Sequence, residues 1–176
     1  MNDPVLASDL AKRVPADAWS PGLVPSSDDQ VPWFPVLRFD ENRKALVVTA
    51  DGRWSWTSSG QDDAVRRHKL RAPEVVGVLP LLELAPSQLT AKLSDAASVL
   101  RMSPEDLVLA LPVAQVFNAA FETRSDYWIG RALLWIETVQ GFESNIDSMR
   151  AVIDDLRVSQ QLRHRTRKVL AARATQ

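Results

Sequence analysis

Residues 36–58, VLRFDENRKALVVTADGRWSWTS, decide the fold, because they hold three short runs rich in β-branched and aromatic residues. The runs are residues 36–40, 45–50 and 53–58. Residues 41–44 separate the first two, and the dipeptide Asp51-Gly52 separates the last two. Asp-Gly favours a two-residue hairpin loop, since a type I′ turn requires positive φ at both central positions. The pattern predicts a three-stranded antiparallel meander.

The two-residue loop fixes the register of the predicted sheet. It pairs Ala50 with Arg53, Thr49 with Trp54, and Val47 with Trp56, while residues 41–44 as a loop pair Phe39 with Leu46 and Leu37 with Val48. Opposite residues of paired strands share a face, so the sheet has two distinct sides. The predicted core side carries Leu37, Phe39, Leu46 and Val48. The other side carries Val36, Arg38, Val47, Thr49, Trp54 and Trp56.

The rest of the chain predicts helices around this sheet. Asp3-Pro4 opens a short helix, and six prolines within residues 1–35 indicate an irregular segment that wraps over the sheet. From about residue 61 the apolar periodicity is helical, and it is most apolar over residues 113–140. The predicted fold class is α+β, a small three-stranded antiparallel meander near the N-terminus packed on a C-terminal multi-helix array. We expect a single domain over residues 1–176, divided into residues 1–35, 36–58 and 61–176.

Side chains that usually perform chemistry are scarce in this sequence. It has no cysteine and two histidines, His68 and His164, each within a run of arginine and lysine. Neither histidine has a partner at metal-ligand or catalytic-triad spacing, although histidine dominates acid–base catalysis and metal ligation. No glycine-rich phosphate loop, zinc spacing or nucleophile elbow occurs. We expect a binding module rather than an enzyme, without cofactor or metal; the alternative is an enzyme whose Asp, Glu and Arg residues converge only in the fold.

Composition indicates the compartment and the class of partner. The formal net charge is −1, so no global field draws the chain to nucleic acid or to an anionic membrane. No apolar run approaches the ~18–20 residues that span a bilayer, and the N-terminus lacks the pattern of a signal peptide. The absence of cysteine fits a reducing compartment. The sequence predicts a bacterial-type cytoplasmic protein, and its small size suits an immunity- or antitoxin-like partner.

The last twenty residues are basic, because no acidic residue follows Leu156. The cations of this stretch are Arg157, Arg163, Arg165, Arg167, Lys168 and Arg173. They predict an amphipathic helix whose charged face contacts an acidic protein or phosphate. Nucleic acid is disfavoured, since the rest of the chain carries about seven net negative charges that oppose it. The alternative without a partner is a cationic helix end that complements its own dipole.

The sequence pattern of residues 94–111 resembles a helix-turn-helix, with two helices joined by a short turn. Ser103 is placed as an N-cap, Pro104 as the first helical residue and Asp106 for a capping box. The second helix nevertheless offers Glu105, Asp106 and apolar residues where base recognition requires Arg, Asn, Gln or Ser. We therefore expect helix packing here, and DNA reading is the alternative.

The preferred candidate site is the sheet face of Arg38, Trp54 and Trp56, together with Arg163, Arg165 and Arg167 of the last helix. Trp and Arg are the residues most enriched in interface hot spots. The competing interpretation is that residues 14–35 fold over the indoles and bury them. The sequence predicts a non-enzymatic protein-binding module, with a nucleic-acid-binding regulator as the alternative.

Overall fold

The computed structural model describes residues 4–20, 31–41, 43–59, 65–71, 73–138 and 143–173. The chain divides into two compact units, Asn2–Pro112 and Val113–Gln176. The predicted α+β class is confirmed, because an antiparallel sheet lies near the N-terminus and helices follow it. The single domain over residues 1–176 stays a prediction. Residues 21–30 of the predicted wrapping segment lie outside the described residues.

The N-terminal unit holds a four-stranded antiparallel sheet in the order β1-β2-β3-β4. Its strands are β1 (Trp33–Phe39), β2 (Lys44–Thr49), β3 (Trp54–Ser59) and β4 (Val65–Lys69). The sheet has a fourth strand, β4, where the sequence predicts three strands and helix from residue 61 onward. Those two predictions are wrong at this strand. β4 reads VRRHK, so it shows no apolar alternation. Cations are common on edge strands, because they discourage pairing with other chains.

The hairpin between β2 and β3 differs by one residue from the predicted register. The observed partners are Val48 with Trp54 and Leu46 with Trp56. The loop has three residues, because the Thr49 carbonyl accepts from the Gly52 N–H at 2.8 Å, and the Thr49 N–H donates to the Arg53 carbonyl at 2.9 Å. Gly52 has φ +76°, the left-handed residue that follows a type I turn in such loops. Asp-Gly is therefore correctly placed in a turn, but the turn is one residue longer.

The first helix packs against this longer loop. α1 (Pro4–Arg13) lies beside this turn, and a Cβ atom at Gly52 would stand 2.9 Å from the Ser8 Cα. A side chain there would collide with the helix backbone. Gly52 thus serves both the positive φ and the close approach of α1.

The predicted core face of the sheet is confirmed. Its members Leu37, Phe39, Leu46 and Val48 are all buried. From Leu37 to Phe39 the β1–β2 register differs from the predicted one by two residues, with Leu37 opposite Leu46, and a two-residue shift keeps these side chains on their faces. A bulge between Pro35 and Leu37 shifts the preceding residues by one more. The opposite face is covered as well, since Trp33, Ala45 and Val47 form a buried cluster with Val65.

Besides α1, the N-terminal unit contains further helical elements, most of which follow the sheet. They are a 3₁₀ helix (Glu74–Glu83), α2 (Leu89–Leu100) and α3 (Pro104–Ala110), with two short 3₁₀ turns at Ala16–Ala18 and Pro86–Gln88. The predicted cap is confirmed, because the Ser103 hydroxyl accepts the Asp106 N–H at 3.1 Å. Arg101 ends α2 in the left-handed conformation, φ 51°, and the next N–H donates to the Ala97 carbonyl.

The C-terminal unit is helical where it is described. Its helices are α4 (Val113–Glu122), α5 (Asp126–Thr138), α6 (Ile146–Asp154) and α7 (Gln160–Arg173), with a 3₁₀ turn at Glu143–Asn145. Residues 113–140 are predicted to be the most apolar helical part, and most residues of α4 are buried. Phe117 of α4 meets Trp135 of α5 edge-on, with ring centroids 6.4 Å apart. Among the described helices, none combines the length and apolar character needed to traverse a bilayer.

Candidate functional site

The predicted indole face does not form, because the one-residue shift moves both tryptophans to the core side of the sheet. Trp56 pairs with Leu46 and is only 6% exposed, and Trp54 is half-buried. Arg38 pairs with Ala45, so it lies on the opposite face, where it is exposed. The indole N–H groups of both tryptophans are buried without a hydrogen-bond acceptor in the described part of the chain. Arg38, Trp54 and Trp56 therefore do not share one surface.

Trp56 instead anchors a polar cluster at β3 and β4. The His68 imidazole stacks on its indole, with ring centroids 4.1 Å apart and planes 21° apart. His68 Nε2 lies 2.9 Å from the Ser58 hydroxyl oxygen, and Nδ1 lies 3.9 Å from Glu74 Oε2. Serine, histidine and carboxylate thus follow one another in the order found in hydrolytic triads. The sequence concealed this order, because only the pairing of β4 with β3 brings His68 to Ser58.

Two features of the cluster argue against acyl transfer. The 3.9 Å separation exceeds a hydrogen bond, and the same Glu74 oxygen accepts the Lys69 backbone N–H at 2.8 Å. Ser58 also lies in interior strand β3, between Lys44 of β2 and Arg66 of β4. Its backbone N–H therefore belongs to a sheet ladder rather than to an oxyanion hole. We assign the cluster a structural role, tying β4 to the 3₁₀ helix that follows.

The second predicted site lies on α7, whose inner face is fixed by packing. Val158 just before the helix is buried, and the Ser159 N–H donates to Asp126 Oδ1 at the start of α5 at 3.1 Å. Thr166 and Val169 are buried one turn apart. These contacts turn the opposite face to solvent. Its exposed residues are Gln160, Gln161, His164, Arg167, Lys168, Ala171 and Ala172.

The six cations of the predicted basic stretch divide into two groups. Arg157 donates to both carboxylate oxygens of Asp155 at 2.9 and 2.7 Å, and Arg165 donates to both oxygens of Glu137 at 3.1 and 2.7 Å. Ion pairs with the described carboxylates are absent for Arg163, Arg167 and Lys168. The side chain of Arg173 lies outside the described residues.

Four residues of α7 form a continuous strip that consists of three cations and one imidazole. They are Arg163, His164, Arg167 and Lys168, and we call them the basic ridge. Residues four apart are neighbours on a helix surface, so the ridge consists of two adjacent pairs. Arg163 is half-buried and the other three are exposed. Arg165, predicted to act with Arg163 and Arg167, is directed to Glu137 of α5 and does not belong to the ridge.

Asp155 explains why Arg157 is neutralised. Its carboxylate accepts from the side chain and the backbone N–H of Arg157, and it lies 3.0 Å from Arg124 Nε. The Arg157 hydrogen bonds, with the charge of Arg124, hold the pKa of Asp155 well below its ordinary value. The carboxylate is therefore ionised throughout the physiological pH range.

No group of three or more His, Asp or Glu side chains within the described ranges is arranged to hold a metal ion. No protein-family model matches this chain, and neither the curated proteins nor the solved structures compared with it give a match. Function is therefore inferred from the geometry and charge of the chain itself.

Proposed function

We propose that this chain is a non-enzymatic protein-binding module that holds an acidic surface of its partner through the basic ridge. The observation that carries the proposal is the division of charge on the C-terminal unit. Arg157 and Arg165 are neutralised within the unit, whereas three cations of the ridge meet no carboxylate among the described residues. Cations fixed on one face of a packed helix steer an acidic partner and set its orientation.

The composition supports the compartment and the type of role that we propose. The absence of cysteine suits a reducing compartment, and the proposal places the chain in a cytoplasm of bacterial type. An immunity- or antitoxin-like role is one in which a small protein acts solely by binding another protein. We include that role in the proposal, because it requires a charged recognition face and no catalytic group.

Nucleic acid is the competing partner, since Arg and Lys also bind phosphate. Residues 113–176 contain nine Lys and Arg against seven Asp and Glu, a net charge of only +2. The helix-turn-helix-like pair offers no additional contact surface. Its second helix, α3, exposes Glu105, Asp106 and Leu109, which repel phosphate or lack hydrogen bonds for bases. These observations favour an acidic protein.

The proposal is tested by titrating three fluorescent probes by anisotropy. The probes are a helical peptide with glutamates four residues apart, the same peptide with glutamine in their place, and a DNA duplex. We expect binding of the glutamate peptide alone, weakening as salt is added. Arg167→Glu with Lys168→Glu should weaken it about tenfold, because each exposed ion pair contributes ~0.2–1 kcal/mol and reversal adds repulsion.

A matched variant controls for net charge. Arg13→Glu with Lys92→Glu reverses two exposed cations of the N-terminal unit and changes the net charge equally. If this control weakens peptide binding as much as the ridge variant, the effect is non-specific and the proposal is wrong. Binding of the duplex without the glutamate peptide would assign the ridge to nucleic acid instead. Circular dichroism checks that each variant retains its helices.

A further inference from the structure

The basic ridge contains one side chain of a type that changes its charge near neutral pH. Histidine ordinarily titrates between about pH 5 and pH 8, whereas arginine and lysine stay protonated well above that range. His164 is the histidine of the ridge, and its side chain is exposed. The other histidine of the chain, His68, lies in the N-terminal unit, where it is stacked on Trp56. The charge of the ridge therefore changes near neutral pH through His164.

The neighbours of His164 on α7 supply no negative charge. Residues three and four positions away are adjacent on a helix surface. For His164 these neighbours are Gln160, Gln161, Arg167 and Lys168, which are two amides and two cations. An opposite charge beside this imidazole therefore has to come from another helix or from another molecule.

The helices packed against α7 do not supply that charge either. They are α5 and α6, and both are described in full. Their ionisable side chains are Asp126, Tyr127, Arg131, Glu137, Asp147, Arg150 and Asp154. Glu137 pairs with Arg165, and Asp147 pairs with Arg150. The other two carboxylates lie beside the loop that leads into α7. No carboxylate of these two helices forms an ion pair with His164.

We infer that the basic ridge binds its acidic partner more tightly as the pH falls and His164 takes up a proton. This inference rests on the proposed function and adds the regulation of the same site. Carboxylates of a bound partner give the protonated imidazole an opposite charge that the described part of the chain does not provide. Proton uptake and partner binding then favour each other, because the two equilibria are linked.

The effect is graded, because the rest of the ridge does not titrate in this range. Arg163, Arg167 and Lys168 keep their charges on both sides of neutral pH, so binding persists when the imidazole is neutral. The partner keeps its charge as well, since glutamate stays ionised down to about pH 5. A fall in pH across the histidine range therefore adds one charge to the ridge and removes none from the partner.

Anisotropy titrations of the glutamate peptide at about pH 6 and about pH 7.5 test the inference, because histidine titrates between these values. We expect the parent chain to bind about threefold more tightly at the lower pH, the effect of one additional exposed ion pair. His164→Gln removes the titrating group and should bind with the same affinity at both pH values. His164→Arg carries a cation at both pH values. It should also lose the pH dependence, but it should bind more tightly than the glutamine variant.

The outcomes separate this inference from the proposed function. If the parent chain binds the glutamate peptide equally at both pH values, the inference is wrong and the proposed function stands. The inference is also wrong if His164→Gln keeps the pH dependence of the parent, because another group is then responsible. If the parent binds at neither pH, or reversal of Arg167 and Lys168 has no effect, the proposed function fails and the inference fails with it. His164 is exposed and both replacements favour helix, so the circular dichroism of both variants should match that of the parent.

Discussion

Gly77 should not tolerate a methyl group, because the Trp56 indole already occupies the position of its Cβ. A Cβ atom there would lie 2.2 Å from Cη2 and 2.3 Å from Cζ2 of the indole. Carbon atoms pack at about 3.5–4.0 Å, so the ring has to move by about 1 Å or more. The ring is buried and stacked on His68, so its movement disturbs packed neighbours. Overpacking of this kind costs about 1–3 kcal/mol, and we expect Gly77→Ala to lower the free energy of unfolding by about 2 kcal/mol.

Urea denaturation followed by tryptophan fluorescence and circular dichroism measures this change. Gly130→Ala is the matched control, since Gly130 lies in α5 and its Cβ would meet only Leu162 Cδ2 at an ordinary 3.8 Å. Alanine in a helix interior is favoured over glycine by about 0.5–1 kcal/mol. The same substitution should therefore destabilise the N-terminal unit and stabilise the C-terminal unit.

A double-mutant cycle assigns the penalty to the indole. Trp56→Leu removes the ring atoms that meet the new methyl group, so Gly77→Ala should cost little in that background. The reasoning is refuted if Gly77→Ala is neutral or stabilising. It is equally refuted if the penalty persists unchanged without the indole, because some other contact would then be responsible.

Three further predictions concern the caps and charges of the helices. Arg101→Gly should stabilise the chain by up to about 1 kcal/mol, because glycine relieves the left-handed strain of a residue that makes no ion pair in the described structure. Arg124→Gly should instead destabilise it: Arg124 is also left-handed, but its guanidinium binds Asp155. Urea denaturation checks both. Asp155→Asn should lower stability at neutral pH; because the folded-state pKa is depressed, the difference from the parent should shrink as pH falls below about 4.

The sequence predicts helices and caps well, because their signals are local. The Ser103 cap, the buried stripe of α4 and the core face of the sheet all depend on residues within a few positions of each other. The register of the β2–β3 hairpin depends on the length of its loop, which the local sequence does not determine. Asp51-Gly52 suits both a two-residue loop and a three-residue loop, since each places glycine at positive φ. The contact of Gly52 with Ser8, far away in the sequence, accompanies the longer loop.

That single residue of register has a large effect on the predicted site. A one-residue slip exchanges the two faces of a strand, so Trp54 and Trp56 move from the outer side to the core side. No local signal distinguishes the two alternatives, because β3 alternates tryptophan with small polar residues and both sheet faces are buried. The cationic stretch at the C-terminus is visible in the sequence. Which of its cations form ion pairs within the chain is not. The partner of Arg165 is Glu137, 28 residues away.

The basic ridge arises from where the acidic residues lie rather than from an excess of cations. α7 contains no acidic residue, so no carboxylate one turn away neutralises its charges. Neutralisation of Arg165 comes from Glu137 of α5, whereas Arg157, which precedes the helix, is paired with Asp155 two residues before it. Cations on the outer side of α7 meet neither carboxylate. A chain with net charge −1 can therefore present a cationic face, and charge-based recognition has to be judged from the arrangement of ion pairs rather than from composition.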